Sequence, residues 1–187
     1  MTTAEKDRAA VFDTRQSPRL QTFDYSQNGC YFITICVRDK QPLLGTYRSK
    51  PAVRAAALRD RPQDAVRLTK LGEAVEKSIR FIDRQNEQVT VQNWVVMPNH
   101  VHLLIRLGSE ATAAGSGKNP SLQRIVGNFK SYTTKLYWKM SGEPNKTLWQ
   151  RSFYDHIIRN QREYENIWNY ITYNAFKDYK GSRENPW

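Results

Sequence analysis

Two of the chain's three histidines, His100 and His102, are separated by a single residue, Val101. They follow Met97-Pro98-Asn99, which reads as a tight bend because Pro fixes φ and Asn tolerates turn geometry. Beyond the bend Val101, Leu103, Ile105 and Leu107 alternate with His100, His102, Leu104 and Arg106, the period of two that marks a strand. Side chains two apart in a strand share a face, so both imidazoles point the same way. Two neutral imidazoles so placed can bind one divalent ion and leave other coordination positions open. The plainer alternative is a chance pair on a strand face, or one histidine buried in the core.

Metal chemistry of this kind needs a substrate and a nucleophile, and composition speaks to the substrate. The 187 residues suggest one domain with a real core, and 29 basic against 18 acidic residues give a net charge of +11. That excess points to a polyanion. Aromatics make up 12% of the chain and interleave with lysines at Phe129-Lys130-Ser131-Tyr132 and Lys135-Leu136-Tyr137-Trp138-Lys139, where cations can hold phosphates while rings stack on bases. No long basic amphipathic helix favours a membrane surface. No apolar run approaches membrane-spanning length, and no signal core is evident. The two cysteines, Cys30 and Cys36, lack zinc-site spacing and are expected as buried free thiols, in keeping with a reducing cytoplasm.

The elements that must position the histidines can be read in order. Residues 1–18 are polar and are expected as a flexible arm ahead of one catalytic domain over 19–187. Tyr31 to Val37 is rich in β-branched and aromatic residues and predicts a first strand. Residues 41–66 read as a long connection, with a short helix over Ala52 to Arg59. Thr69 caps a helix running to about Arg84, its apolar face made of Leu71, Val75, Ile79 and Ile82. Val89 to Val96 and His100 to Leu107 are the second and third strands, followed by a flexible loop from Gly108 to Pro120. Ser121 caps a second long helix with Leu122, Ile125, Phe129 and Leu136 on one face. Phe153 to Ile158 is a fourth strand and Asn160 to about Asp178 a final helix. The order β-α-β-β-α-β-α is an α+β, ferredoxin-like split βαβ with one extra C-terminal helix. Strands one and three are then central, and the histidines stand on an inner strand.

The string MPNHVHLL resembles the histidine–hydrophobe–histidine (HUH) signature of single-tyrosine HUH transposases, the small enzymes of single-stranded DNA transposition. Within them it is most similar to the REP-associated tyrosine transposase family. LWQRSFYDHIIRN, residues 148–160, resembles the segment leading into that family's tyrosine helix. RLQTFDYSQNG, residues 19–29, resembles the segment before its first strand. The likeness runs from about Arg19 to Lys177 with breaks at the two long loops.

Ten tyrosines compete for the role of nucleophile, and no serine or cysteine triad is evident. Tyr170 and Asn174 are i and i+4 on the final helix and so are neighbours on one face, beside Ile167 and Ile171, which would face the core. Spacing alone leaves Tyr170 open as an interfacial aromatic. The resemblance implies that Tyr170 is the nucleophile and that Asn174 completes a site for Mg²⁺ or Mn²⁺ with His100 and His102. It further implies a DNA strand transferase acting on single-stranded, hairpin-bearing DNA, with REP-like repeats as the suspected targets, through a 5′-phosphotyrosine. Monomer and homodimer both stay open. Tyr132 is the main rival nucleophile and Tyr173 the weaker one. Arg19, Lys130, Tyr132 and Arg151 are the candidate DNA contacts. His156 reads as a structural strand residue. The family often carries Pro after the Asn, where this chain has Ala175, which lets the helix continue. Two other readings stand beside this one: a non-cutting single-strand binder on a ferredoxin-like sheet, and a metal nuclease that uses water.

Overall fold

The computed structural model describes residues 23–49, 65–108 and 119–179, with side chains in the last segment described to 175. The arm over 1–18, Arg19 and the helix expected over Ala52 to Arg59 lie outside the described residues. Its elements are β1 (Gly29–Cys36), a 3-10 turn (Arg38–Lys40), β2 (Gly45–Tyr47), β3 (Val66–Leu68), α1 (Lys70–Ile79), α2 (Ile82–Gln85), β4 (Val89–Met97), β5 (His100–Leu107), α3 (Leu122–Ser141), β6 (Tyr154–Ile158) and α4 (Gln161–Tyr179).

The main sheet is antiparallel, in the order β4-β5-β1-β6. The histidine strand β5 is therefore internal, as the split βαβ order predicts. On one face Ile33, Ile35, Val101, Leu103 and Ile105 pack with Val75 and Ile79 of α1 and Ile125 and Phe129 of α3. On the other face Phe32, Val95, Met97 and Leu104 pack under Ile167, Ile171 and Ala175 of α4. Alternation along β1 and β5 divides these two sets, so the sheet is a layer between helices.

Local chemistry accounts for the helix ends. The Thr69 hydroxyl accepts from the Gly72 amide at 3.1 Å and Ser121 caps α3 through the Arg124 amide, each satisfying an otherwise orphaned donor. Gly142, left-handed at φ 71°, closes α3, as glycine does at helix C-termini. At Gly72 a side chain has no room, since a Cβ would fall on the Leu44 carbonyl oxygen.

Four expectations need correction. The first helix does not run to Arg84: α1 stops at Ile79, where the Phe81 amide bonds back three residues to the Ser78 carbonyl at 3.2 Å, and Ile82 belongs to a separate turn. On α3 the buried row passes through Phe129, Thr133 and Tyr137, and Leu136 is only half-buried. The connection over 41–66 contains β2 and the first residue of β3, which pair antiparallel in a ladder too short for periodicity to reveal. The cysteines are free but half-buried, not buried.

Thr133 is on the buried row for a polar reason. Its hydroxyl accepts from the Trp149 indole N–H at 2.8 Å and donates to the Phe129 carbonyl at 2.7 Å, anchoring the segment that leads into β6. Thr133→Val is expected to strand that buried N–H and cost about 1–3 kcal/mol, measured by chemical denaturation. Thr133→Ser should recover most of it. Equal stability of wild type and Thr133→Val would show that the indole finds another acceptor.

Candidate active site

The histidines begin a strand whose entry is pinned on three sides. Met97 pairs with His100 across a two-residue turn. The turn's carbonyls are bound from outside, Pro98 by the Leu44 amide at 2.9 Å and Asn99 by the Val37 amide at 2.8 Å. In register, His102 lies opposite Thr34 of β1 and Val95 of β4, and His100 opposite Cys36 and Met97.

Both rings lie on the α4 side of the sheet. Their Nε2 atoms are 3.1 Å apart. His102 is 4% exposed, and its ring stacks on Phe32 at 5.2 Å between centroids and meets Tyr170 edge-on at 5.3 Å. Helix α4 covers this face of the strand. Burial, with the Lys40 cation as a second cause, pushes His100 down to about 4. Burial, with His100 next to it, takes His102 well below its usual value. Both imidazoles are thus neutral near pH 7, the form that offers a lone pair to a metal.

The outer nitrogens have partners. The Asn99 amide donates to the Lys40 carbonyl at 3.2 Å, which turns its Oδ1 to accept from His100 Nδ1 at 2.7 Å. Thr34 Oγ1 is 2.8 Å from His102 Nδ1. Such outer contacts fix the orientation of ligating histidines.

Helix α4 brings the remaining groups. Ile167 and Ile171 are fully buried, as their spacing predicts, and Ala175 continues the helix inside the core. Tyr170 is half-buried beside His102 and Phe32. One turn on, Asn174 is 1% exposed and its Oδ1 has no hydrogen-bond partner. A buried amide oxygen left unpaired costs about 1–3 kcal/mol, which a cation at that oxygen would offset.

Two anchors hold α4 over the site. At its start Asn160 Oδ1 accepts from the Glu163 amide at 2.9 Å. The Glu163 carboxylate in turn accepts from the Arg159 amide at 2.7 Å and lies 2.6 Å from His156 Nε2. His156 is thus a structural residue, as its place on a strand suggested. Midway along, Asn93 Nδ2 of β4 donates to the Trp168 carbonyl at 3.2 Å and to Thr172 Oγ1 at 3.0 Å. A bulge between Val91 and Asn93 re-aims that side chain. Sequence reading missed Asn93, Asn99 and Thr34; the break in alternation at Gln92-Asn93 was the one available signal.

The rival tyrosines are elsewhere. Tyr132 is 56% exposed on α3, across the sheet from the histidines, where it lines a groove of about 190 Å³ with Phe81, Gln85 and Asn128. Tyr173 is on α4 but 40% exposed. Among the DNA-contact candidates, Arg151 is exposed ahead of β6. The Lys130 ammonium donates to the carbonyls of Gln150 and Arg151 at 2.6 and 3.0 Å, so it ties α3 to that loop.

The residues present fit a divalent ion. Nitrogens 3.1 Å apart, each ~2.1 Å from one ion, would subtend roughly 95° at it, close to adjacent octahedral positions. Among the described residues no three or more His, Cys, Asp or Glu side chains gather into a metal-holding group. The buried, unpaired Asn174 Oδ1 is a candidate donor, an oxygen of the type that suits harder ions.

Comparison with known proteins places this geometry in context. Residues 63–174 match the family model described as "Transposase IS200 like", a span that takes in the histidine pair and ends on Asn174. An uncharacterized protein of Haemophilus influenzae is 28% identical over 173 residues, covering 86% of this chain and 87% of its own length. A solved REP-associated tyrosine transposase bound to a REP hairpin matches at 19% identity and a TM-score of 0.48, over 86% of this chain and 73% of that one. A Deinococcus radiodurans protein described as a candidate transposase matches at 14% identity and a TM-score of 0.46, over 82% of this chain and 95% of that one. Among the described residues, no helix is long and apolar enough to cross a membrane.

Proposed function

The chain belongs to the IS200-like transposase family, an enzyme family of the DNA transposase kind, and from that premise we propose that it cuts and rejoins single-stranded, hairpin-bearing DNA through a 5′-phosphotyrosine on Tyr170. One observation carries the reading: a tyrosine ring and, one turn later, a buried unpaired amide oxygen come from one helix to the face of a central strand where two neutral imidazoles stand 3.1 Å apart.

The residues divide the work. His100, His102 and Asn174 would hold one Mg²⁺ or Mn²⁺. That ion, when bound, supplies a positive charge that polarises a phosphate oxygen and stabilises the transition state. Tyr170 Oη attacks the phosphorus and gives up its proton; the bond to the 3′ oxygen breaks, and that oxygen leaves as a hydroxyl. The phosphodiester becomes a phosphotyrosine ester, so a 3′-hydroxyl on another strand can reverse the step without a nucleotide cofactor. The chain has no GxxxxGK[ST] string, in keeping with that. The rigid platform, in which β5 is internal and α4 is anchored at Glu163 and Asn93, favours attack by holding the nucleophile near its target.

DNA affinity is assigned to the net charge of +11, since phosphate contacts supply most binding energy and little sequence discrimination. Arg19, Arg151 and Lys130 are proposed contacts, with Tyr132 as a stacking residue. The hairpin preference and REP-like repeats rest on the likeness of MPNHVHLL and LWQRSFYDHIIRN to REP-associated transposases.

The test is incubation of the full chain with a panel of single-stranded hairpin oligonucleotides and Mn²⁺, read on a denaturing gel. A protein-linked DNA band that EDTA abolishes is the expected result. Cleavage without any linked band would replace tyrosine by water as the nucleophile, and binding without cleavage would leave a non-cutting hairpin binder.

A further inference from the structure

We propose that Thr34 is a positioning residue that sets the tautomer of His102, and that its hydroxyl exchanges roles when a divalent ion enters. It donates to Nδ1 in the free site and accepts from Nδ1–H in the loaded one. The inference rests on the metal reading above and extends it to a residue outside the ligand set.

The argument begins from an asymmetry between the two rings. His100 faces Asn99 Oδ1, which can only accept, because the same amide's nitrogen is committed to the Lys40 carbonyl. The His100 proton is therefore held on Nδ1, and its Nε2 is bare in every state. His102 faces a hydroxyl at 2.8 Å, a group that both donates and accepts. Its tautomer is not locked.

The 3.1 Å between the two Nε2 atoms decides which tautomer each state needs. In the free site two bare Nε2 atoms would set lone pair against lone pair. His102 must then carry its proton on Nε2 and donate to His100, which leaves Nδ1 bare and in need of a donor. The Thr34 O–H is that donor. In the loaded site both Nε2 lone pairs are required by the ion. His102 must carry its proton on Nδ1, which then needs an acceptor, and the Thr34 oxygen is that acceptor. The proton leaves Nε2 to water and Nδ1 takes one from water, so the ring stays neutral and no net proton is released.

A ring flip cannot replace this exchange, because it would put carbon atoms where Nδ1 and Nε2 stand. Stacking on Phe32 at 5.2 Å and edge contact with Tyr170 at 5.3 Å oppose it. A carboxylate at position 34 would lock Nδ1–H, and an amide would have to turn over. Thr34 also sits directly opposite His102 in the β1–β5 register, so the backbone of two central strands fixes the contact.

The experiment is a Mn²⁺ titration of the full chain, with free Mn²⁺ followed by electron paramagnetic resonance, in wild type, Thr34→Val and Thr34→Ser. Thr34→Val keeps the branching and removes the hydroxyl, and it is expected to bind Mn²⁺ about 10–100-fold more weakly, the usual effect of losing an outer partner of a ligating histidine. Its melting temperature should fall by several degrees, because the buried Nδ1 of His102 loses its partner, and Thr34→Ser should bind like wild type and recover most of that fall. Wild-type affinity in folded Thr34→Val would overturn the proposal. A wild type that binds no Mn²⁺ would overturn the metal reading itself, a separately visible failure. Should Thr34→Val not fold, ¹⁵N spectra of the wild-type imidazoles decide the matter. His102 is expected as the Nε2–H tautomer in EDTA and the Nδ1–H tautomer in saturating Mg²⁺, and one tautomer throughout would overturn the inference.

Discussion

Tyr170→Phe is expected to abolish the protein–DNA adduct while hairpin binding persists. The substitution removes one hydroxyl and keeps the ring, so the contacts with Phe32 and His102 survive. Loss of one hydroxyl from this half-buried residue should cost at most about 1 kcal/mol, a fall in melting temperature of about 2–4 °C at this size. Were Tyr170 only an interfacial aromatic, that small loss would be the whole effect and cleavage would continue. Tyr132→Phe and Tyr173→Phe are the matched controls. Tyr132 stands across the sheet from the histidines and Tyr173 is 40% exposed, so both variants should form the adduct at the wild-type rate. An adduct formed by Tyr170→Phe but not by Tyr132→Phe would move the chemistry to α3 and leave Asn174 without a role.

The second large effect is expected from replacing His100 and His102 together by Ala. Cleavage should vanish, as it should for the wild type in EDTA, while affinity for hairpin DNA stays within a few-fold because phosphate contacts carry it. Cleavage at the wild-type rate in either case would end the metal assignment. The same variant tests whether the rings are as buried as the fold implies. Burial holds His100 at about 4, against about 6.5 when unfolded. Between those values the unfolded chain binds a proton that the folded site refuses, so stability is full above pH 6.5 and falls as pH drops toward 4. His102, also held low, adds to the same trend. In EDTA the wild type should lose stability across this window, and the double variant should show a flatter profile.

Much of this arrangement was legible in the amino-acid order. Alternation after Asn99 put both imidazoles on one strand face, and β-α-β-β-α-β-α made that strand internal; both follow from backbone periodicity, which is a local property. Thr69 and Ser121 announced helix starts because capping is chemistry within a few residues. Ile167 and Ile171 marked the inner side of the last helix, and Tyr170 and Asn174 were adjacent to it by helical spacing.

What tertiary structure alone decided concerns contacts between segments far apart in the chain. That the histidine face lies under α4 follows from a helix beginning some sixty residues later. That Asn174 Oδ1 is buried without a hydrogen-bond partner depends on the depth at which α4 seats. The bulge at Gln92, which turns Asn93 toward Thr172, and the meeting of Thr34 with His102 across 68 residues are matters of register. Register is set by which faces the folded layers bury. The sequence by itself therefore determined which groups could do the chemistry and on which elements they ride. Only the packing of α4 against the sheet decided that a tyrosine, an unpaired amide oxygen and two neutral imidazoles share one side of it, because burial and hydrogen-bond pairing belong to the assembled layers and to no single stretch of chain.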